Sequence, residues 1–183
     1  NTNIGVTYYF LGDLNKAIEF YLKSLSILEE LKDSSNVSIS LSNLSVFFQE
    51  KGQFEKSLEM LQKALLYTPE YEQRSRSDIY NNIAVTYTKM KNFQEAIKYY
   101  MLSVEMKIKI NDYKGMAMSY HNLADIYNKQ NDYKKAETCA KKAIELVAGK
   151  DVPAYEANFL RGLANVYFEM GEIKKALPFV LKS

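Results

Sequence analysis

The sequence predicts an all-α stack of antiparallel helical hairpins, and three observations carry that expectation. A six-residue pattern recurs five times in register along the 183 residues. Each copy is followed, at a fixed distance, by a turn and a second apolar stripe. Gly and Pro number only seven and three, too few for the turns of a sandwich or barrel.

The copies are Asn3-Ile-Gly-Val-Thr-Tyr8, Asn43-Leu-Ser-Val-Phe-Phe48, Asn82-Ile-Ala-Val-Thr-Tyr87 and Asn122-Leu-Ala-Asp-Ile-Tyr127. A fifth, Gly162-Leu-Ala-Asn-Val-Tyr167, lacks the leading Asn. Their small residues Gly5, Ser45, Ala84, Ala124 and Ala164 stand 40, 39, 40 and 40 residues apart. Turns follow at Gly12-Asp13, Gly52-Gln53, Lys91-Asn92, Asn131-Asp132 and Gly171-Glu172. Gly, Asn and Asp there suit left-handed and capping conformations. The second stripes begin at Ala17, Ser57, Ala96, Ala136 and Ala176 and run on through Tyr21, Leu61, Tyr100, Ala140 and Val180, ending near Ser183 in the last copy. Spacings of three, four and seven mark amphipathic helices.

Two helices approach closely only where side chains are small, so Ala84 and Ala96 mark a close contact flanked by Tyr87 and Phe93. A lone hairpin of this kind cannot bury its apolar face, and neighbours must stack. Asp33, Asp112 and Asp151 are N-cap candidates for the next repeats. Thr68-Pro69-Glu70 reads as another helix start, with Pro at the first helical position. Pro178 should remove a backbone bond in the last helix.

The pattern Asn-Leu-Ala-x-x-Tyr, Gly-Asp-Tyr, Ala-x-x-x-Tyr, Ala-Leu resembles the tetratricopeptide repeat over essentially the whole chain. The family's usual period is 34 residues, and the period of about 40 here should lengthen both helices. Similar longer repeats occur in kinesin light chains, in Rap-like and PlcR-like peptide sensors, and in bacterial sensor kinases and transcription regulators. The resemblance implies a right-handed superhelical solenoid of about 4.5 repeats, in one array covering 1–183. Repeats are expected at approximately 1–33, 34–69, 70–111, 112–150 and 151–183. The pattern is cut at both ends, which reads as a fragment of a longer protein.

The resemblance also implies that each first helix lines a concave groove. The Asn column, Asn3, Asn43, Asn82 and Asn122, is then the sharpest feature. A carboxamide donates and accepts at a spacing that matches one peptide unit. A ladder of them can hold an extended chain; the alternative is that they cap or cross-link neighbouring helices. Asn81, Lys89, His121, Asp125, Asn128, Lys129, Arg161 and Asn165 complete the expected peptide-binding set. Thr2, Ser42, Val6, Tyr9, Val46, Gln49, Glu50 and Asn158 are further first-helix residues outside the apolar stripe. The carboxylate clamp of chaperone adaptors needs basic residues on successive helices. Thr2, Ser42, Asn81 and His121 stand there, with only Arg161 basic, so a chaperone tail is not expected.

The expected function is non-enzymatic binding of a protein or peptide, in the sensor or interaction part of a bacterial signalling or transcription regulator. The alternative is a self-association scaffold giving a homo-oligomer. There is no nucleophile–base pattern, Gly-rich phosphate loop or dinucleotide fingerprint, and no cofactor is expected. His121 and Cys139 are the only His and Cys, so no metal site is expected. His121 reads as a groove contact or a pH-sensitive group, against a solvated helix residue, and Cys139 as a packing residue. Formal net charge is +2, and the pairs Lys134-Lys135, Lys141-Lys142 and Lys174-Lys175 are interrupted by Glu. That excludes the concentrated charge of a nucleic-acid surface. No apolar run approaches the ~18 residues of a membrane span. A cytoplasmic location is the expectation.

Overall fold

A computed structural model describes residues 2–181 and the side chains from Ile4 to Leu181; Ser183 lies outside the described residues. All regular elements among them are helices: α1 (Thr2–Phe10), α2 (Leu14–Glu30), α3 (Ser34–Glu50), α4 (Phe54–Tyr67), α5 (Gln73–Lys89), α6 (Phe93–Lys109), α7 (Tyr113–Lys129), α8 (Tyr133–Val147), α9 (Pro153–Glu169) and α10 (Ile173–Val180).

The turns explain why helix follows helix so closely. Asp13 N–H donates to the Tyr8 carbonyl, five residues back, at 2.9 Å, with Gly12 in the left-handed region at φ 79°. The same Asp13 then accepts from Lys16 N–H at 3.1 Å and so caps α2. One residue thus closes one helix and opens the next. Asp33, Asp112 and Asp132 repeat both bonds, accepting from Asn36, Gly115 and Lys135 N–H. The cap N–H at Asp13, the Asn36 amide followed by the cap N–H at Asp33, and the Lys135 ammonium followed by the cap N–H at Asp132 hold these carboxyls below the usual Asp range. At Lys91 and Asn131 a non-glycine residue takes the left-handed position, at φ 59° and 60°.

Two helix starts differ from the sequence reading. Pro69 does not begin a helix. Thr68 caps α4 and is buried, its hydroxyl donating to Ala64 O at 2.8 Å and pairing with Ser38 Oγ at 2.6 Å. Thr68 is extended, at φ −103° and ψ 112°, and α5 starts only at Gln73. Asp151 does not cap α9 either: Val152 is the cap residue and Pro153 takes the first turn, where its missing N–H costs nothing. Pro178 is accommodated inside α10, which runs two residues further.

The chain divides into two compact units, residues 1–92 and 93–183. In the first, α1 pairs with α2 and α3 with α4, while α3 packs on α2 and α5 on both α4 and α3. Ala17, Ser45, Ser57 and Ala84 are completely buried, so the small positions are where backbones approach. Tyr21 and Phe47 meet edge to face at 5.1 Å across the α2–α3 contact. A buried polar network ties α3, α4 and α5 together. The Gln49 amide donates to Thr86 Oγ1 at 2.8 Å and to Asn82 O at 3.3 Å, and Ser57 Oγ lies 3.2 Å from Thr86 Oγ1. Gln49 therefore belongs to the core and not to a groove: a carboxamide at that depth is stable only with its donors occupied.

In the second unit, α7 pairs with α8 and α9 with α10, with α6 against α7, α8 against α9 and α7 against α9. Ala124, Ala140, Leu163, Ala164, Tyr167 and Ala176 form one core cluster, against which Cys139 packs. Burial raises the Cys139 thiol above its ordinary pKa, which makes it a poor nucleophile. Lys107 is 4% exposed and donates to Ser119 Oγ at 3.1 Å and Gly115 O at 3.3 Å.

A lysine column recurs in both units. Lys16, Lys56, Lys135 and Lys175 place their ammonium groups 5.1, 5.7, 5.3 and 5.8 Å from the rings of Tyr8, Phe48, Tyr127 and Tyr167. Basic residues of the second helices thus cover the repeat's own aromatic position.

Candidate ligand cleft

In the second unit α7 and α9, both first helices of their hairpins, form the walls of a cleft of about 190 Å³. His121, Asp125 and Asn128 share one face of α7 at positions i, i+4 and i+7, and Asn158, Arg161 and Asn165 share one face of α9 at i, i+3 and i+7. Ala124, Gly162 and Val166 supply the small and apolar remainder of the lining. Five of the expected site residues are therefore brought together: His121, Asp125, Asn128, Arg161 and Asn165. Asn158 joins them.

The charges of the two walls are handled differently. Asp125 is neutralised on its own helix by Lys129, with Oδ2 and Nζ 2.6 Å apart and both side chains about half exposed. Such a pair contributes little to stability. Arg161 instead donates to the neutral amide oxygen of Asn158 at 2.7 Å. Among the described residues no carboxylate forms an ion pair with Arg161, whose side-chain partner is a neutral amide oxygen.

His121 is half-buried and packs on Phe159, with ring centroids 5.3 Å apart. A solvated helix residue is the reading this corrects. The ring fits because residue 162 has no side chain: a Cβ there would stand 2.7 Å from His121 Cε1 and 2.8 Å from Nδ1. Nδ1 is buried with no hydrogen-bond partner, as is Asn128 Oδ1. Burial holds the imidazole below the ordinary histidine range; Asp125 opposes that shift and Arg161 adds to it. At neutral pH the ring is uncharged.

The first unit carries a different pocket, also of about 190 Å³, lined by Val6, Tyr9, Phe10, Tyr21, Asn43, Val46 and Phe47. Here Asn43 donates to Tyr21 OH at 3.4 Å, a cross-link between α2 and α3. Tyr9 OH donates to Glu50 at 2.8 Å, which raises the Tyr9 phenol above its ordinary pKa. What remains open is mainly aromatic and aliphatic.

The Asn column thus divides. Asn43 cross-links helices, Asn82 and Asn122 are half-buried and line neither pocket, and Asn3 has its side chain outside the described residues. Asn81 is half-buried and Lys89 exposed, and neither lines a pocket. The sequence reading named Asn158 among the first-helix residues of the groove but missed the fit of His121 over Gly162, for which the missing Asn of the fifth copy was the available signal.

Among the described residues no group of three or more His, Cys, Asp or Glu side chains could hold a metal ion, and no helix is long and apolar enough to cross a membrane.

Tandem hairpins joined by shared caps, with small residues at each close approach and polar side chains facing across consecutive first helices, define a helical-repeat scaffold. The chain belongs to the tetratricopeptide-repeat family: that family's model matches residues 1–65 and 75–148. It is a protein-interaction repeat domain. Similar solved structures include BtubC from P. vanneervenii, at 23% identity and TM-score 0.85 over 97% of this chain and 74% of that one. The TPR-like repeats of a Podosopora anserina chain described as a kinesin light chain align at 19% identity and TM-score 0.81, over 99% of this chain and 90% of that one. The apo form of RapI aligns at 20% identity and TM-score 0.85, over 97% of this chain but 50% of that one. No curated protein matches the chain.

Proposed function

We propose that this chain is a non-enzymatic module that holds an extended polypeptide segment against its first helices. Its place would be the sensor or interaction part of a bacterial signalling or transcription regulator. The observation that carries the holding role is the α7–α9 cleft, where six polar side chains of two consecutive first helices converge around a small apolar lining. An extended segment offers alternating donors and acceptors, and carboxamides such as Asn128 and Asn165 meet both. The regulator context rests on the resemblance of the 40-residue repeats to those of bacterial regulators and peptide sensors.

The test is a peptide selected on the folded chain from a random displayed library. Asn128→Ala combined with Asn165→Ala should weaken that peptide about tenfold or more, which is about 1.4 kcal/mol. The melting temperature should hold, because Asn128 Oδ1 has no hydrogen-bond partner in the fold and Asn165 is exposed. Unchanged affinity in the folded double variant would place the bound segment elsewhere and reject the cleft.

A further inference from the structure

The proposed function leaves open which chemical group the cleft recognises. We propose that it takes a carboxylate of the bound segment, and that His121 takes up a proton from solvent as that carboxylate enters. This rests on the reading of the cleft as a peptide site.

The argument begins with the charges. Asp125 has Lys129 at 2.6 Å and presents little net charge. Arg161 has only the neutral Asn158 oxygen at 2.7 Å, so most of its five N–H donors are open to a ligand. Asn158 and Asn165 flank it three residues before and four residues after on the same helix, and each adds an amide donor. The α9 wall is therefore a donor surface with one full positive charge. Arginine grips a carboxylate in two-point geometry, and such charge-assisted bonds are about twice as strong as neutral ones.

The facing wall supplies the proton coupling. The Nδ1–Cε1 edge of His121 faces the backbone of Gly162, while Nε2 would stand 4.0 Å from a Cβ there. Nδ1 is buried without a partner, Nε2 is not among the buried unpartnered atoms, and the residue lines the cleft. The charged groups acting on the ring are Asp125 on its own helix and Arg161 on α9. A carboxylate bound at Arg161 cancels the repulsion that Arg161 exerts and adds an attractive charge beside Nε2. Both changes favour the imidazolium. By linkage, a ligand that raises the histidine's proton affinity binds more tightly as pH falls. A cationic group attracted to Asp125 would show the opposite sign, and a neutral backbone contact almost none. This arrangement differs from a clamp of basic residues on successive helices, because its second positive charge exists only when the ligand is present.

His121 is the only histidine of the chain, so its Cε1 proton gives a single NMR signal and needs no assignment. The probes are three pentapeptides at millimolar concentration. One is acetyl-Ala-Ala-Asp-Ala-Ala-amide, one is acetyl-pentaalanine with a free carboxylate, and one is the neutral control acetyl-Ala-Ala-Asn-Ala-Ala-amide. With a carboxylate peptide the His121 titration should move to higher pH, and binding should be several-fold tighter near pH 6 than near pH 8. A response to the Asp peptide alone identifies a side-chain carboxylate, and a response to the free terminus alone identifies a chain end. Arg161→Gln, checked for folding by circular dichroism, should abolish the peptide-dependent movement. The inference is overturned if neither carboxylate peptide moves the titration, if the Asn peptide moves it equally, or if Arg161→Gln leaves it intact. A library-selected peptide that binds through Asn128 and Asn165 while the histidine stays silent would remove this inference and keep the peptide site.

Discussion

The same pair of repeat positions is filled in opposite ways at the α2–α3 contact of the first unit and the α8–α9 contact of the second. In the first, Tyr21 of α2 and Asn43 of α3 are joined by a hydrogen bond, and the space beside them is lined by aromatic rings. In the second, Tyr100 and Asn122 repeat those residue types, but one repeat on Ala140 of α8 and Gly162 of α9 occupy the two positions, both with minimal side chains. The volume they vacate admits the His121 ring over Gly162 and leaves a polar cleft open beside it. A repeat position therefore has no fixed role. Asn43 cross-links because its neighbour is a phenol, whereas Leu61, at the equivalent place one repeat on, offers no hydroxyl for Asn82. Asn43 is thus bonded within the fold, whereas the polar side chains of α7 and α9 line an open cleft.

The comparison can be broken most strongly from the first unit. Thr86→Val keeps shape but removes the nearer of the two acceptors of the buried Gln49 amide and the partner of Ser57. An unsatisfied buried donor costs about 1–3 kcal/mol. Urea denaturation should show a loss towards the upper end of that range, and Gln49→Leu added to Thr86→Val should recover part of it. A double variant worse than the single would show that the network does not act as a unit. A smaller effect is expected from giving the second unit the first unit's residue. Gly162→Asn drives a Cβ into the His121 ring, and overpacking of this kind costs on the order of 1–2 kcal/mol. Adding His121→Ala should relieve most of that loss. If it does not, the strain lies in the backbone and not in the ring contact.

Much of the fold was legible because it follows from spacing. Small residues about 40 apart fixed where helices approach, and Asp33 and Asp112 announced their caps. The α4–α5 connection was not legible. Pro69 looks like a helix start until Thr68, paired with Ser38 30 residues away in sequence, is known to be extended. The site was less legible than the fold for the same reason. Which Asn is bonded depends on its cross-helix neighbour, as with Tyr21 for Asn43, and a column of identical letters hides that difference. His121 read alone suggested solvent; its burial required noticing that the residue one turn of the array later is Gly162.

The smallest expected effect is also the most specific to the second unit. Burial lowers the His121 pKa in the folded chain, with Arg161 adding to the shift, whereas the unfolded chain has the ordinary value of about 6.5. As pH falls through about 6.5 the unfolded state binds the proton first, so stability is full above that pH. It declines as pH falls towards the lower, folded value and levels off below it. The capped carboxyls of Asp13, Asp33 and Asp132 titrate in a more acidic range and do not overlap this window. Melting temperatures measured between about pH 7.5 and pH 5.5 should therefore fall more for the native chain than for His121→Gln, which carries no titrating ring. Parallel curves for the two would mean that the imidazole is solvated in the folded protein, and that the cleft of the second unit is as wet as the sequence alone suggested.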